Sequence, residues 1–130
     1  MAKPKLSLQV RIPPYQGPRN AWRRRLNGLV AQEQKRTGVR YQESDRLEVH
    51  VRLYMDEKSL RSHDVDNRLK DILDALQGRA GGSKKVRLLP AIVPNDRQIH
   101  RVSIEKGPPP WQSRGLGHVV IGKFRARRAG

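Results

Sequence analysis

Residues 63–76 read His63-Asp64-Val65-Asp66-Asn67-Arg68-Leu69-Lys70-Asp71-Ile72-Leu73-Asp74-Ala75-Leu76. Val65, Leu69, Ile72, Leu73 and Leu76 recur at helical spacing and predict a helix with one apolar stripe. Asp66, Lys70 and Asp74 follow at i, i+4 and i+8, so they share one polar flank beside that stripe. Asp64 stands at the helix entry. Two carboxylates at the mouth of a helix, with a lysine one turn on, can hold a hard divalent cation next to a phosphate. A plainer use is open to the same residues. Asp and Asn cap helices, acids suit the positive end of the helix dipole, and Asp66–Lys70 and Lys70–Asp74 are spaced as ordinary solvated ion pairs.

Strand patterns flank this helix on both sides. Upstream, residues 47–54 alternate Leu47, Val49, Val51 and Leu53 with polar residues, a half-buried strand with His50 on its polar face. The loop 55–63 leads into the helix, which should end near Gln77 and Gly78. Beyond it lies a glycine-containing basic segment, 79–89, with Arg79, Lys84, Lys85 and Arg87. It suits a flap on DNA and equally a solvated insertion. Ala91 to Val93 form a short apolar patch. Residues 98–105 predict a third strand, and the offset between Ile99 and Val102 predicts a bulge in it.

Nearer the N-terminus, residues 5–12 alternate Leu6, Leu8, Val10 and Ile12, and Pro13-Pro14 stops that strand. Asn20 is placed to cap a helix over 21–36 that turns Trp22, Leu26, Leu29 and Val30 inward, and Gly38 closes it. Arg23, Arg24 and Arg25 oppose the dipole at its start, which suits phosphate contact and equally a solvated surface. Residues 106–117 form a Pro/Gly-rich loop, 119–124 a last strand, and Arg125, Arg127 and Arg128 a basic tail. The result is an α+β fold: a small mixed sheet of four or five strands, its terminal strands adjacent, with two main helices packed on one face. Asp96 lies in a loop leading into a strand, and is expected to meet Asp64 and Asp66 at the end of the sheet.

Composition narrows the function. Twenty-eight Lys and Arg face twelve Asp and Glu, a formal charge of +16 at pH 7. Such a surface attracts polyphosphate and steers association with nucleic acid. Clustered acids within so basic a chain need a reason, and a cation bound between them and a DNA phosphate supplies one. With no cysteine, disulfides and thiolate metal sites are excluded, and an intracellular protein is favoured. No apolar run approaches membrane-spanning length, and residues 1–5 do not open a signal peptide. The length is that of one domain, and an apolar fraction of 35% gives a modest core that is compatible with dimerisation.

Asp64-Val65-Asp66-Asn67, then Lys70, then Asp74-Ala75-Leu76, then Asn95-Asp96-Arg97-Gln98-Ile99 resembles the RusA family of Holliday-junction resolvases. The early strand ending in Pro13-Pro14 before a basic helix is similar too. The likeness runs from about Leu6 to Glu105, within a core of residues 1–107, with 108–130 completing the same domain. Departures are His63, where the family commonly has an arginine, and Asn95, where it often has a second aspartate. The resemblance implies a magnesium-dependent endonuclease, with manganese able to substitute. It implies Asp64, Asp66 and Asp96 as metal ligands and catalytic residues, with Lys70 as the catalytic lysine. It further implies a homodimer that nicks opposed strands of a four-way DNA junction, in the cytoplasm and associated with the nucleoid. Arg23, Arg24, Arg25, Lys84, Lys85 and Arg87 are the candidate DNA contacts. The competing expectation is a noncatalytic basic module whose acids only cap a helix. Asp96 discriminates, since capping does not require it.

Overall fold

The structure, a computed structural model, describes residues 7–81 and 89–126. Lys84, Lys85 and Arg87 lie outside the described residues, as do Arg127 and Arg128. Among the described residues the fold is α+β, with four strands and two main helices. Strand β1 (Leu8–Ile12) leads to helix α1 (Arg19–Thr37), then β2 (Leu47–Tyr54), a short helix α2 (Glu57–Ser62) and helix α3 (Val65–Leu76). Strands β3 (Ile99–Gly107) and β4 (Gly117–Lys123) complete it. The sheet order is β1-β4-β2-β3, so the two terminal strands pair as expected. Pairs β1–β4 and β4–β2 are antiparallel, and β2–β3 is parallel.

Period-two alternation sets the layers. Leu8, Val10, Ile12, Leu47, Val49, Val51, Leu53, Val119 and Ile121 are buried under the helices. The intervening polar residues face the other way, which a largely antiparallel mixed sheet open to water on one side tolerates. The expected bulge is present: Leu47 pairs with Ile99 and Glu48 with Arg101, so His100 is the extra residue. Where β4 crosses β2, a side chain at Gly117 would collide with the Arg52 carbonyl.

Two local expectations are corrected. Pro18, not Asn20, holds the N-cap of α1; it makes no side-chain cap bond, and the Trp22 N–H reaches the Pro18 carbonyl at 3.2 Å. The loop 55–63 contains α2, nucleated by Asp56, whose carboxylate accepts the Ser59 N–H at 2.8 Å. Six residues without an apolar stripe leave no periodic signal for it. The apolar patch at 91–93 closes the end of α3. Its Ile92 and Val93 N–H groups cap the Leu76 carbonyl at 2.7 and 3.0 Å, and both side chains are buried.

Because β2 and β3 are parallel, the chain between them must return along the sheet, and α3 makes that return. The start of α3 therefore sits at the end of the sheet where β2 and β3 finish. Its last turn sits where they begin. This placement governs the site.

Candidate functional site

Asp64 is the N-cap residue of α3 with extended backbone, yet its side chain makes no capping bond. Asp66, in the first turn, accepts among the described residues only the neighbouring Asn67 N–H, at 3.0 Å. Both are exposed, as are Asn67 and Lys70. None of Asp64, Asp66 and Lys70 forms an ion pair among the described residues, so the i, i+4 pairs that the spacing permits are not made. Helix capping thus accounts for neither aspartate.

The helix mouth is held from below. The Lys106 ammonium donates to the carbonyls of Leu60 and His63, the latter at 2.6 Å. The Arg68 guanidinium lies 3.6 Å from the centre of the Tyr15 ring, and its Nη1 is 3.3 Å from His63 Nδ1. Tyr15 in turn meets His63 and Trp22 edge to face, at 5.3 and 5.1 Å. Trp22 donates to the Pro13 carbonyl at 3.3 Å. The loop that leaves β1 thereby fixes where α3 begins.

The inward flank of α3 was not apparent in the sequence as a site. Asp71 is fully buried and faces three guanidiniums: Arg19 at 2.9 Å, Arg23 at 2.8 Å and Arg68 at 3.4 Å. Arg23 also reaches Asp74 at 3.2 Å. Asp74 is therefore a partner of Arg23 and not of Lys70. The expectation that Arg23 contacts DNA is corrected too. Its side chain is buried and committed to two carboxylates, whereas Arg24 and Arg25 are exposed. The helix is also rolled relative to the predicted stripe. Arg68, Asp71, Ile72, Ala75 and Leu76 are buried, while Val65, Leu69 and Leu73 are only partly covered. Charged residues at 68 and 71 within the helical spacing of Ile72 and Ala75 were the available signal.

Asp96 opens a 3-10 turn, Asp96–Gln98, just before β3. Asn95 and Gln98 form a reciprocal capping box: the Arg97 N–H bonds Asn95 Oδ1 at 3.0 Å, and the Asn95 N–H bonds Gln98 Oε1 at 2.9 Å. Gln98 Nε2 then donates to the carbonyls of Gln42 and Asp45, at 2.7 and 2.8 Å, just before β2. Asp96 itself is exposed and makes no ion pair among the described residues. It is tied to the start of the parallel strands, whereas Lys106, near the end of β3, is bonded to His63. A strand rises about 3.3 Å per residue, so roughly 20 Å of sheet separates the two places. The expected meeting of Asp96 with Asp64 and Asp66 does not occur within one chain. Consistently, no group of three or more His, Asp or Glu suited to a metal is found among the described residues.

The outer sheet face carries a second charged cluster. His50 Nδ1 contacts Ser103 Oγ at 2.6 Å, and His50 Nε2 contacts Glu48 at 3.2 Å. Glu48 also accepts from Arg101 at 3.0 Å. Partial burial opposes ionisation of Glu48, but His50 and Arg101 outweigh it and hold the carboxyl below its ordinary range. Among the described residues no helix is long and apolar enough to cross a membrane. No protein-family model and no curated protein matches the chain.

Proposed function

We propose that the protein is a divalent-metal-dependent endonuclease acting on branched DNA as a homodimer, as its RusA-like pattern implies. One observation carries the proposal. In a chain of +16 charge, Asp64 and Asp66, two residues apart at the mouth of α3, are exposed, and among the described residues neither has a cation paired to it. The pair fits magnesium, which is commonly held by one or two carboxylates together with water and substrate phosphate. Bound there, the ion would lower the pKa of a water and neutralise phosphate oxygens. Asp64 and Asp66 bind and orient; the Asn67 N–H holds one oxygen of Asp66 in place. Lys70, one turn on, adds a point charge against the extra negative charge of the reacting phosphate or the departing oxygen. Arg24 and Arg25 attract the DNA backbone without choosing sequence.

The homodimer is part of the same reading, and two features support it. Strand β3 is an open edge, with Val102 37% exposed on it. Val65, Leu69 and Leu73 are left partly uncovered on α3, which lies against β3. A second copy covers such an apolar strip, and a two-fold axis matches a four-way junction. Asp96 can act on the metal only if a second copy presents it.

The deciding experiment is a nicking assay on an immobile four-way junction, with and without magnesium. Metal-dependent paired nicks support the proposal. Binding with no cleavage under magnesium or manganese favours the noncatalytic module. Lys70→Ala should lose single-turnover cleavage at saturating protein while junction affinity changes little.

A further inference from the structure

Two tryptophans are treated oppositely by the fold: Trp22 is 3% exposed and Trp111 is 88% exposed. Leaving so large an apolar ring in water forgoes a substantial burial energy. The loop that presents Trp111 is stiff. Three prolines, Pro108 to Pro110, precede a 3-10 turn at Trp111–Ser113. Ser113 closes that turn on the Pro110 carbonyl, through its N–H at 2.9 Å and its hydroxyl at 2.6 Å. The Gly115 N–H bonds the Ser113 hydroxyl at 3.2 Å, and the Leu116 N–H bonds the Ser113 carbonyl at 3.0 Å. A ring displayed from a fixed backbone loses little entropy when it binds.

Beside the turn runs a shallow groove of about 220 Å³ on the outer face of the sheet, lined by Arg11, Tyr54, Gln112 and His118 among others. Arg11, Arg114 and His118 form no ion pair among the described residues. The groove is cationic or neutral, and nothing acidic lines it. The loop leaves β3 at Gly107, whose carbonyl accepts the Met55 N–H at 3.1 Å. It therefore emerges at the same end of the sheet as the mouth of α3, with Asp64 and Asp66. An exposed ring on a turn beside a groove lined by Arg11 and His118 is the pattern of a single-strand grip, in which bases stack and phosphates follow the basic side chains.

We propose that Trp111 is a stacking platform for an unpaired nucleobase, with the phosphates of that strand lying over Arg11, Arg114 and His118. The occupant is single-stranded nucleic acid, such as the unpaired nucleotides at a branch. The proposal goes beyond the nuclease assignment and holds whether or not the strand is cut.

The test is a fluorescence titration of the full chain in EDTA, at fixed salt, with an oligothymidylate of about 15 nucleotides, an abasic strand of equal length and a blunt duplex. The thymidylate strand should quench the emission. The abasic strand should bind by charge without quenching. Trp111→Ala should remove the quenching and weaken single-strand binding about tenfold, with duplex affinity unchanged. Trp111→Tyr should restore most of that affinity. Equal quenching by the abasic strand, unaltered single-strand affinity in Trp111→Ala, or an equal loss on duplex would each overturn the proposal. The titration reads binding in EDTA and no cleavage, so a failure of the nuclease assignment leaves this result unaffected.

Discussion

On the inner flank of α3, Asp71 has no solvent exposure and faces Arg19, Arg23 and Arg68. On the outer flank, Asp64, Asp66 and Lys70 stand in water with no ion pair among the described residues. The residue types are the same and the helix is the same. A carboxylate taken out of water must be matched by cations or it shifts to its neutral form. A carboxylate left in water carries no such requirement and stays available to a ligand. The comparison teaches that the presence of acids on a helix does not define a site. The candidate site is where their charge is left without a partner among the described residues.

The largest expected effect on stability is on the buried side. Asp71→Ala removes the common partner of three guanidiniums, two of them buried, and should cost about 3–5 kcal/mol in chemical denaturation. A loss below about 1 kcal/mol would show that the cluster is not a structural hub. Arg23→Ala should also destabilise, while Arg24→Ala should leave the melting temperature unchanged and lower the salt dependence of junction binding by about one phosphate contact. Equal behaviour of Arg23→Ala and Arg24→Ala in both measurements would erase the distinction.

Asp66→Asn should do the reverse of Asp71→Ala. We expect a roughly hundredfold or greater loss of cleavage, an unchanged melting transition, and junction binding as tight or tighter, since one negative charge facing the phosphates is removed. Normal cleavage would take Asp66 out of the site.

A mixing experiment then tests the separation of Asp96 from the helix mouth. Asp66→Asn and Asp96→Asn chains should each be inactive alone. Random dimers from an equal mixture place one intact site in half of the assemblies, so about a quarter of the wild-type sites should return. No recovery, with subunit exchange verified independently, would mean that Asp96 does not act across a dimer.

The smallest effect concerns α2. Backbone and side-chain hydrogen bonding from Ser59 holds the Asp56 carboxyl below its ordinary range. Its folded-state pKa is therefore the lower one. The cap contributes fully above the unfolded value and is lost as pH falls through the folded value. Amide exchange protection in α2 should fade in that acid window before the sheet is affected. Protection that persists to still lower pH would assign the cap to the backbone alone.

Alternation alone located β1 and β2, because a strand buried on one face must repeat every second residue. The offset between Ile99 and Val102 likewise disclosed the bulge at His100. Helix α3 and its end at Gln77 were legible from spacing, and so was the shared flank of Asp66 and Lys70. Helix α2 was not, because a single turn and a half has no period to detect. Nor were the roles of Arg23 and Arg68. An arginine beside other arginines looks solvated until a buried carboxylate from a helix far along the chain is brought against it.

The sequence by itself determined which residues share a strand face or a helix flank, since those relations depend only on local backbone periods and on charge. The tertiary structure decided what those faces meet. It rolled α3 so that Asp71 went inward, turned Arg23 from the surface to the core, and set Asp96 at the opposite end of the sheet from Asp64. The reason is the parallel pairing of β2 and β3, which obliges the intervening helix to run back along the sheet. No local pattern records that direction, and it alone fixes which carboxylates can reach one another within a single chain.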